Sequence, residues 1–383
     1  MKNKILQLSI LLILLVNLAC QQYNDVNRQN LITKIDTINL PHHGKKDFLN
    51  QYSITAFDTS NKIFFGFNVL LNSIDVYPLK SSKKPYQIHI KNEGPNQIEE
   101  MISGMAINNG NLIVVGFNYI YKLNNDGEVL NRIAINANTE NTLLQTQPIY
   151  DTEDNVIEIV NEDQFILKTV NYKDSRTHQT KDFYKNYSHL VSFTPSTHQF
   201  QNLNIKYPKS YSENFYGFNT RFSMALHQKS NQLFYSYEGT PSLFYLDLEA
   251  RKAKPKEIKI DTKNLSKFKI TTKSHQSNNA FDLKNYLVNS NFDGIASTED
   301  YIVLMHHSSQ NMDEIDPEIN TKNKVRELIV YDVEERKFIG KIIINGKILN
   351  KSHFSVGNDL YLQYLNEEKA ENELSFLKIS LDQ

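Results

Sequence analysis

The sequence predicts an all-β chain: a six-bladed β-propeller of four-stranded antiparallel blades, closed by an N-terminal strand. Three observations predict it. A short unit, consisting of a turn residue, a spacer and a β-rich run, recurs six times along the 383 residues. Each copy sits among further short strands separated by polar turns. The last copy is one strand short, and a spare strand lies near the N-terminus. Composition agrees: 21 Tyr, 21 Phe and many Ile, Leu and Val favour strands, and Ala-rich helical windows are missing.

The first segment is a targeting signal rather than part of the fold. "MKNK" gives a positive start, and "ILQLSILLILLV" (5–16) is apolar but shorter than the roughly 17–25 residues of a membrane span. Ala19 then precedes Cys20, the only cysteine, so no intrachain disulfide can form. "LAC" resembles the lipobox of bacterial lipoproteins, with Asn17 standing where that motif usually has Leu. The resemblance implies that Cys20 is acylated and becomes the mature N-terminus. Several acyl chains, at about 0.8 kcal/mol per buried methylene, anchor a protein firmly. Gln21 carries no inner-membrane retention signal, which implies the outer membrane of a Gram-negative bacterium. The expected organisation is residues 1–19 as signal peptide, 20–29 as a lipidated tether and 30–383 as one propeller domain.

The repeated unit reads "NKIFFGF" (61–67), "GNLIVVGF" (110–117), "DNVIEIV" (154–160), "NQLFYSY" (231–237), "DYIVLMH" (300–306) and "NDLYLQY" (358–364). A strand precedes the unit, as in "YSITAF" (52–57), "SGMAI" (103–107), "RFSMAL" (221–226) and "HFSV" (353–356). Two strands follow it in five copies. Four antiparallel strands per repeat is the pattern of a propeller blade. After "LSFLKIS" (374–380) the chain has no room for a fourth strand, and "LITKIDTINL" (31–40) belongs to no blade in sequence order. Pairing the two closes the ring and covers an edge that would otherwise template aggregation. The alternative is a seventh, degenerate blade within residues 271–291.

In a propeller, the turns between first and second and between third and fourth strands share one face. The remaining connections share the other. Segments 161–186, 261–291 and 307–324 all fall on the second face by this reading, which makes it the expected binding surface.

Formal charge is nearly balanced, 42 basic against 43 acidic residues, and gives no general attraction to nucleic acid. No phosphate-cradling Gly-rich loop, "GxSxG" elbow or "HExxH" motif is present, and no cofactor or metal is expected. "NNDGE" (124–128) lacks the spaced carboxylates of a calcium loop and reads as a hairpin turn. His306 and His307 are strand neighbours that point to opposite sides. Candidate ligand-binding residues are Glu93 and Asn96, around the Gly94-Pro95 turn, with Arg221 opening the inner strand of blade 4 and Asp293 preceding that of blade 5. These four are expected to converge near the channel mouth. Tyr207, Tyr211, Tyr216 and Tyr286 lie in the crossings, where tyrosines either pack or stack on sugars and peptides.

The lipobox-like cysteine, "EGPN" (93–96) and the hairpin "NQLFYSYEGTPSLFYLDLEARK" (231–252) together resemble the uncharacterised six-bladed TolB-like β-propeller lipoproteins. That resemblance brings no catalytic residues with it. Two functions stay open: an anchored binding or scaffold propeller for an envelope protein, peptide or glycan, and a hydrolase or lyase acting on a carbohydrate or lactone.

Overall fold

A computed structural model of the chain describes residues 34–42, 48–49, 52–79, 83–91, 93–94, 96–98, 102–116, 118–135, 156–169, 181–213, 221–250, 254–270, 289–310, 325–344, 348–364 and 372–381. They form six four-stranded antiparallel sheets. Blade 1 is β2 (Thr55–Asp58), β3 (Ile63–Asn68), β4 (Ser73–Pro78) and β5 (Tyr86–His89). Blade 2 is β6 (Gly104–Asn108), β7 (Asn111–Val115), β8 (Tyr119–Leu123) and β9 (Val129–Ala134). Blade 3 is β10 (Ile157–Asn161), β11 (Gln164–Lys168), β12 (Leu190–Thr194) and β13 (Gln199–Asn202). Blade 4 is β14 (Phe222–His227), β15 (Gln232–Tyr237), β16 (Ser242–Asp247) and β17 (Lys256–Lys259). Blade 5 is β18 (Asn291–Ser297), β19 (Tyr301–His307), β20 (Arg326–Asp332) and β21 (Lys337–Ile344). Blade 6 is β22 (Ile348–Val356), β23 (Asp359–Tyr364) and β24 (Glu373–Ser380), completed by β1 (Lys34–Pro41).

Burial follows from stacking the sheets around an axis. Second and third strands are covered on both faces by neighbouring blades, so they read as continuous apolar runs. β3 and β4 are buried along nearly their whole length. Outer strands meet solvent on one side: in β21, buried residues alternate with more exposed ones. The core is therefore six wedges, one between each pair of adjacent blades. The wedge of Leu40, Phe48, Tyr52, Phe64, Tyr77, Phe354 and Phe376 seals blade 6 against blade 1. Six wedges close a six-membered ring. Most of segment 271–291, the alternative seventh blade, lies outside the described residues.

Closure is carried by β1, which pairs with β24 in unbroken register from Lys34 opposite Ser380 to Pro41 opposite Glu373. The expected strand 31–40 is thus realised from Lys34 onward, with residues 31–33 outside the described region.

One blade differs from the sequence reading. "DNVIEIV" was expected to be the second strand of blade 3, with 161–186 as a long loop holding a further strand at "FILKTV". It is instead the inner strand β10, and "QFILK" within that loop is the second strand β11. Inner and second strands are both apolar runs after a turn, so periodicity alone does not separate them. The long connection shrinks to 169–189 and holds a short helix, α1 (Lys181–Asn186). A second short helix, α2 (Lys209–Glu213), lies in the 203–221 crossing.

One face carries tight turns. Asn109 and Gly110 join β6 to β7 with both φ positive, at 50° and 72°, the type I′ geometry that matches strand twist. The opposite face receives the connections 42–54, 90–103, 135–156, 169–189, 203–221, 260–290 and 308–325.

Candidate functional site

At the long-connection face, the start of β14 and the end of β15 meet the start of β18. Glu238 follows β15, and its N–H donates to the Arg221 carbonyl at 3.0 Å. Its own carbonyl accepts from the Phe292 N–H at 3.0 Å, which ties blade 4 to blade 5. The Glu238 backbone thereby links Arg221 to the strand that carries Asp293, and the Glu238 side chain is fully buried. Gly239 donates its N–H to the Tyr211 hydroxyl at 2.8 Å, so α2 fixes the same turn.

Asp293 does not precede the inner strand, as the sequence suggested; it lies inside it. Pairing jumps from Phe292–His306 to Gly294–Met305, leaving Asp293 as the extra residue of a β-bulge. The bulge turns its carboxylate to His307, with Oδ1 at 3.3 Å from Nε2. Gly294 permits this, since a Cβ there would sit 2.8 Å from the Met305 sulfur. His306, one residue back, takes a different partner, Glu327, at 3.0 Å from Nδ1. Among the described residues no group of three or more His, Cys, Asp or Glu side chains is placed to hold a metal ion.

The other two expected members lie elsewhere. The Gly94 turn forms, with φ +88°. It does not aim its side chains at the axis. Asn96 accepts, through Oδ1, the N–H of Val129 at 3.2 Å, at the start of the outer strand of blade 2. Glu93 is exposed on the same turn. Outer-strand packing, rather than the channel, claims this segment, and the four residues do not converge.

Beside the mouth, Tyr184 from α1, Tyr207, Tyr211 from α2, His189, Phe222 and Tyr237 form one aromatic cluster. His189 stacks on Phe222 at 4.6 Å, and burial pushes its pKa down to about 3, keeping the ring neutral. Tyr216 and Tyr286 lie outside the described residues.

Two residues at these sites escaped the sequence reading. Glu238 sits in "YEGT", which looks like a solvated turn. Glu158 sits in "NVIEIV", and as part of an inner strand it lines the central channel. This cavity of about 260 Å³ is walled by all six inner strands. Desolvation pushes the Glu158 carboxyl up to about 8, against the opposing pull of Lys168 and the Leu226 N–H. Placing "NVIEIV" as an inner strand would have exposed that signal.

Among known proteins, no curated sequence matches. A solved structure of a DUF4221 family member from Bacteroides vulgatus is 15% identical, with TM-score 0.70, covering 91% of this chain and 98% of that one. Regucalcin from Agrobacterium tumefaciens, described as a calcium-binding protein, gives 10% identity, 90% and 95% coverage and TM-score 0.42. Likeness at these identities shows the fold alone. The family model described as a domain of unknown function, DUF4221, matches residues 25–334, and the chain therefore belongs to the DUF4221 family and has its six-bladed propeller fold.

Proposed function

We propose that this chain is a binding propeller of the cell envelope, lipid-anchored through Cys20 to the outer membrane of a Gram-negative bacterium. It presents its long-connection face to an envelope protein, peptide or glycan. The observation that carries this reading is the bulge at Asp293. Buried charges contribute little to stability relative to apolar side chains of similar volume, so a core alone gives no reason to keep them. Here a strand is distorted next to Gly294, and a carboxylate is set against His307 at the mouth, close to the backbone bonds that Glu238 makes to Arg221 and Phe292. Bulges that re-aim side chains in this way concentrate at functional rims.

The tether's exit supports the same reading. β1 starts at Lys34, opposite Ser380, at the tight-turn face. The described fold therefore begins on the face opposite the long connections, which leaves the long-connection face clear of that point of entry. The test is recovery of partners from envelope extract by the parent and by an Arg221→Ala, Asp293→Ala double variant with an unchanged melting curve. Loss of partners from the double variant supports the mouth as the site. Equal recovery moves binding to the rim or the tight-turn face.

A further inference from the structure

The mouth cluster is not the only built concavity. The channel cavity runs along the axis and reaches the tight-turn face, since its lining comes from all six inner strands together with Gln228 of a tight turn. Gln228 helps to shape that end by donating from Nε2 to the Ile159 carbonyl at 2.8 Å. Its wall has a definite polarity. Glu158 stands on β10 of blade 3, and His353 stands on β22 of blade 6, directly across a six-membered ring. On the hairpin ladders Glu158 pairs with Ile166 and His353 with Leu362, which sets the two within about one residue step of the same level. Among the described residues they are the only ionisable side chains lining the cavity. Beside His353, Phe354 stacks on Phe57 of blade 1 at 4.1 Å, placing two aromatic rings on the wall opposite the carboxylate. Met105 and Met224 line the wall from the blades on either side of Glu158.

We propose that this cavity binds a small organic ammonium, with its charged head at Glu158 and a short apolar stem against Phe57 and Phe354. The volume, about 260 Å³, is below the ~300–1,000 Å³ of sites for drug-sized molecules, so the guest is a small one. The hydroxyls of Thr55, Ser297 and Ser355 and the His353 ring offer further acceptors for ammonium N–H groups. Desolvation raises the Glu158 carboxyl to about 8 and so disfavours its charged form near neutral pH. An incoming cation reverses this by favouring the charged form, and the proton leaves to solvent as the ion pair forms. A neutral guest has no such exchange to make. Lys168 on β11 is the other charge that acts on Glu158, and His353 faces it from β22. This site stands apart from the mouth cluster, so either reading can fail without the other.

The experiment is calorimetric titration of the full chain in detergent with n-butylammonium chloride, and with n-butanol as its uncharged twin, in two buffers of different ionisation enthalpy. Saturable binding of the ammonium, with a proton released at pH 7, is expected, and the alcohol should not bind at the same concentrations. Affinity should rise about tenfold from pH 7 to pH 9, as the Glu158 proton no longer has to be displaced. Glu158→Gln should lower affinity at least tenfold and abolish both the proton release and the pH dependence. Infrared spectra of the parent give a reading that does not depend on the variant folding: the protonated-carboxyl band should fall on ammonium addition. Equal binding of alcohol and ammonium, binding without proton release, or an unaffected Glu158→Gln variant would each overturn the proposal, as would no saturable heat at millimolar probe.

Discussion

The Tyr52 hydroxyl donates to Asp75 Oδ2 at 2.6 Å, while the Tyr52 N–H reaches Gln363 Oε1, in the neighbouring blade 6, at 3.3 Å. One residue of a crossing segment thus fastens the first blade to the last. Asp75 is fully buried and also accepts from Asn68 at 3.1 Å and Gln87 at 2.7 Å. Burial pushes the Tyr52 hydroxyl well above its ordinary range, so it stays a donor. Tyr52→Phe should cost about 1–3 kcal/mol, because Asp75 loses a donor it cannot replace with water. Thermal unfolding at neutral pH measures this, and an unchanged melting temperature would show that the bond does not bear on closure.

Gly66 makes room for that same ring. A Cβ at Gly66 would lie 2.4 Å from the Tyr52 ring. Gly66→Ala should therefore displace Tyr52 and destabilise by roughly 1–3 kcal/mol, the usual cost of overpacking a core. In the Tyr52→Ala background the glycine substitution should lose most of its effect. Additive losses in a double-mutant cycle would mean that the two do not meet.

Deleting residues 30–41 should be far more damaging than deleting 21–29. It strips β1 from β24 along eight paired residues and takes Leu40 out of the wedge between blades 6 and 1. The exposed edge of β24 then invites aggregation. Light scattering during a thermal ramp reports it, and a truncated protein melting like the parent would require another closure.

Acid should loosen blade 5. Glu327 is held down to about 2: burial raises its pKa, and hydrogen bonds from His306, Lys341 and Ser266 together lower it by more. Its unfolded value is near 4.5. A depressed carboxylate contributes stability that is fully present above the unfolded value and is lost as pH falls through the folded one. The loss should therefore run from about pH 4.5 to pH 2 and reach on the order of 3 kcal/mol. Glu327→Gln should flatten that part of the stability profile, which chemical denaturation across pH measures. An unchanged slope in the variant would assign the acid loss to other groups.

Anchoring has a direct test. Cys20→Ala should leave the precursor unprocessed or release the protein from the membrane fraction. Wild-type protein found soluble with a free N-terminal thiol would contradict the proposed lipid anchor.

How much of this was legible before folding can be judged from particular elements. The repeat, the blade number and the exchange of β1 into blade 6 follow from local patterns: turn residues at fixed offsets, apolar runs of strand length and one missing strand balanced by one spare. Such patterns are readable because each strand's burial is set by its place in a sheet, and a sheet's hydrogen bonds are local to its hairpins. Blade 3 shows the limit. An inner and a second strand are equally apolar, and "NED" (161–163) lacks the glycine found in the corresponding turns of blades 2 and 6. The misplaced strand concealed Glu158.

The candidate site belongs to the tertiary structure. Arg221 and Asp293 are 72 positions apart in the chain, and what links them is the Glu238 backbone, bonded to Arg221 on one side and to Phe292, the neighbour of Asp293, on the other. Asn96, chosen on the same kind of evidence, caps an outer strand instead. A turn's sequence specifies its bend, but the direction of its side chains depends on which neighbouring blade is close enough to bond them. The sequence by itself determined that strands would form, how many, and how the ring would close. Which polar groups reach the axis was decided by the packing of one blade on the next, through contacts between residues far apart in the chain.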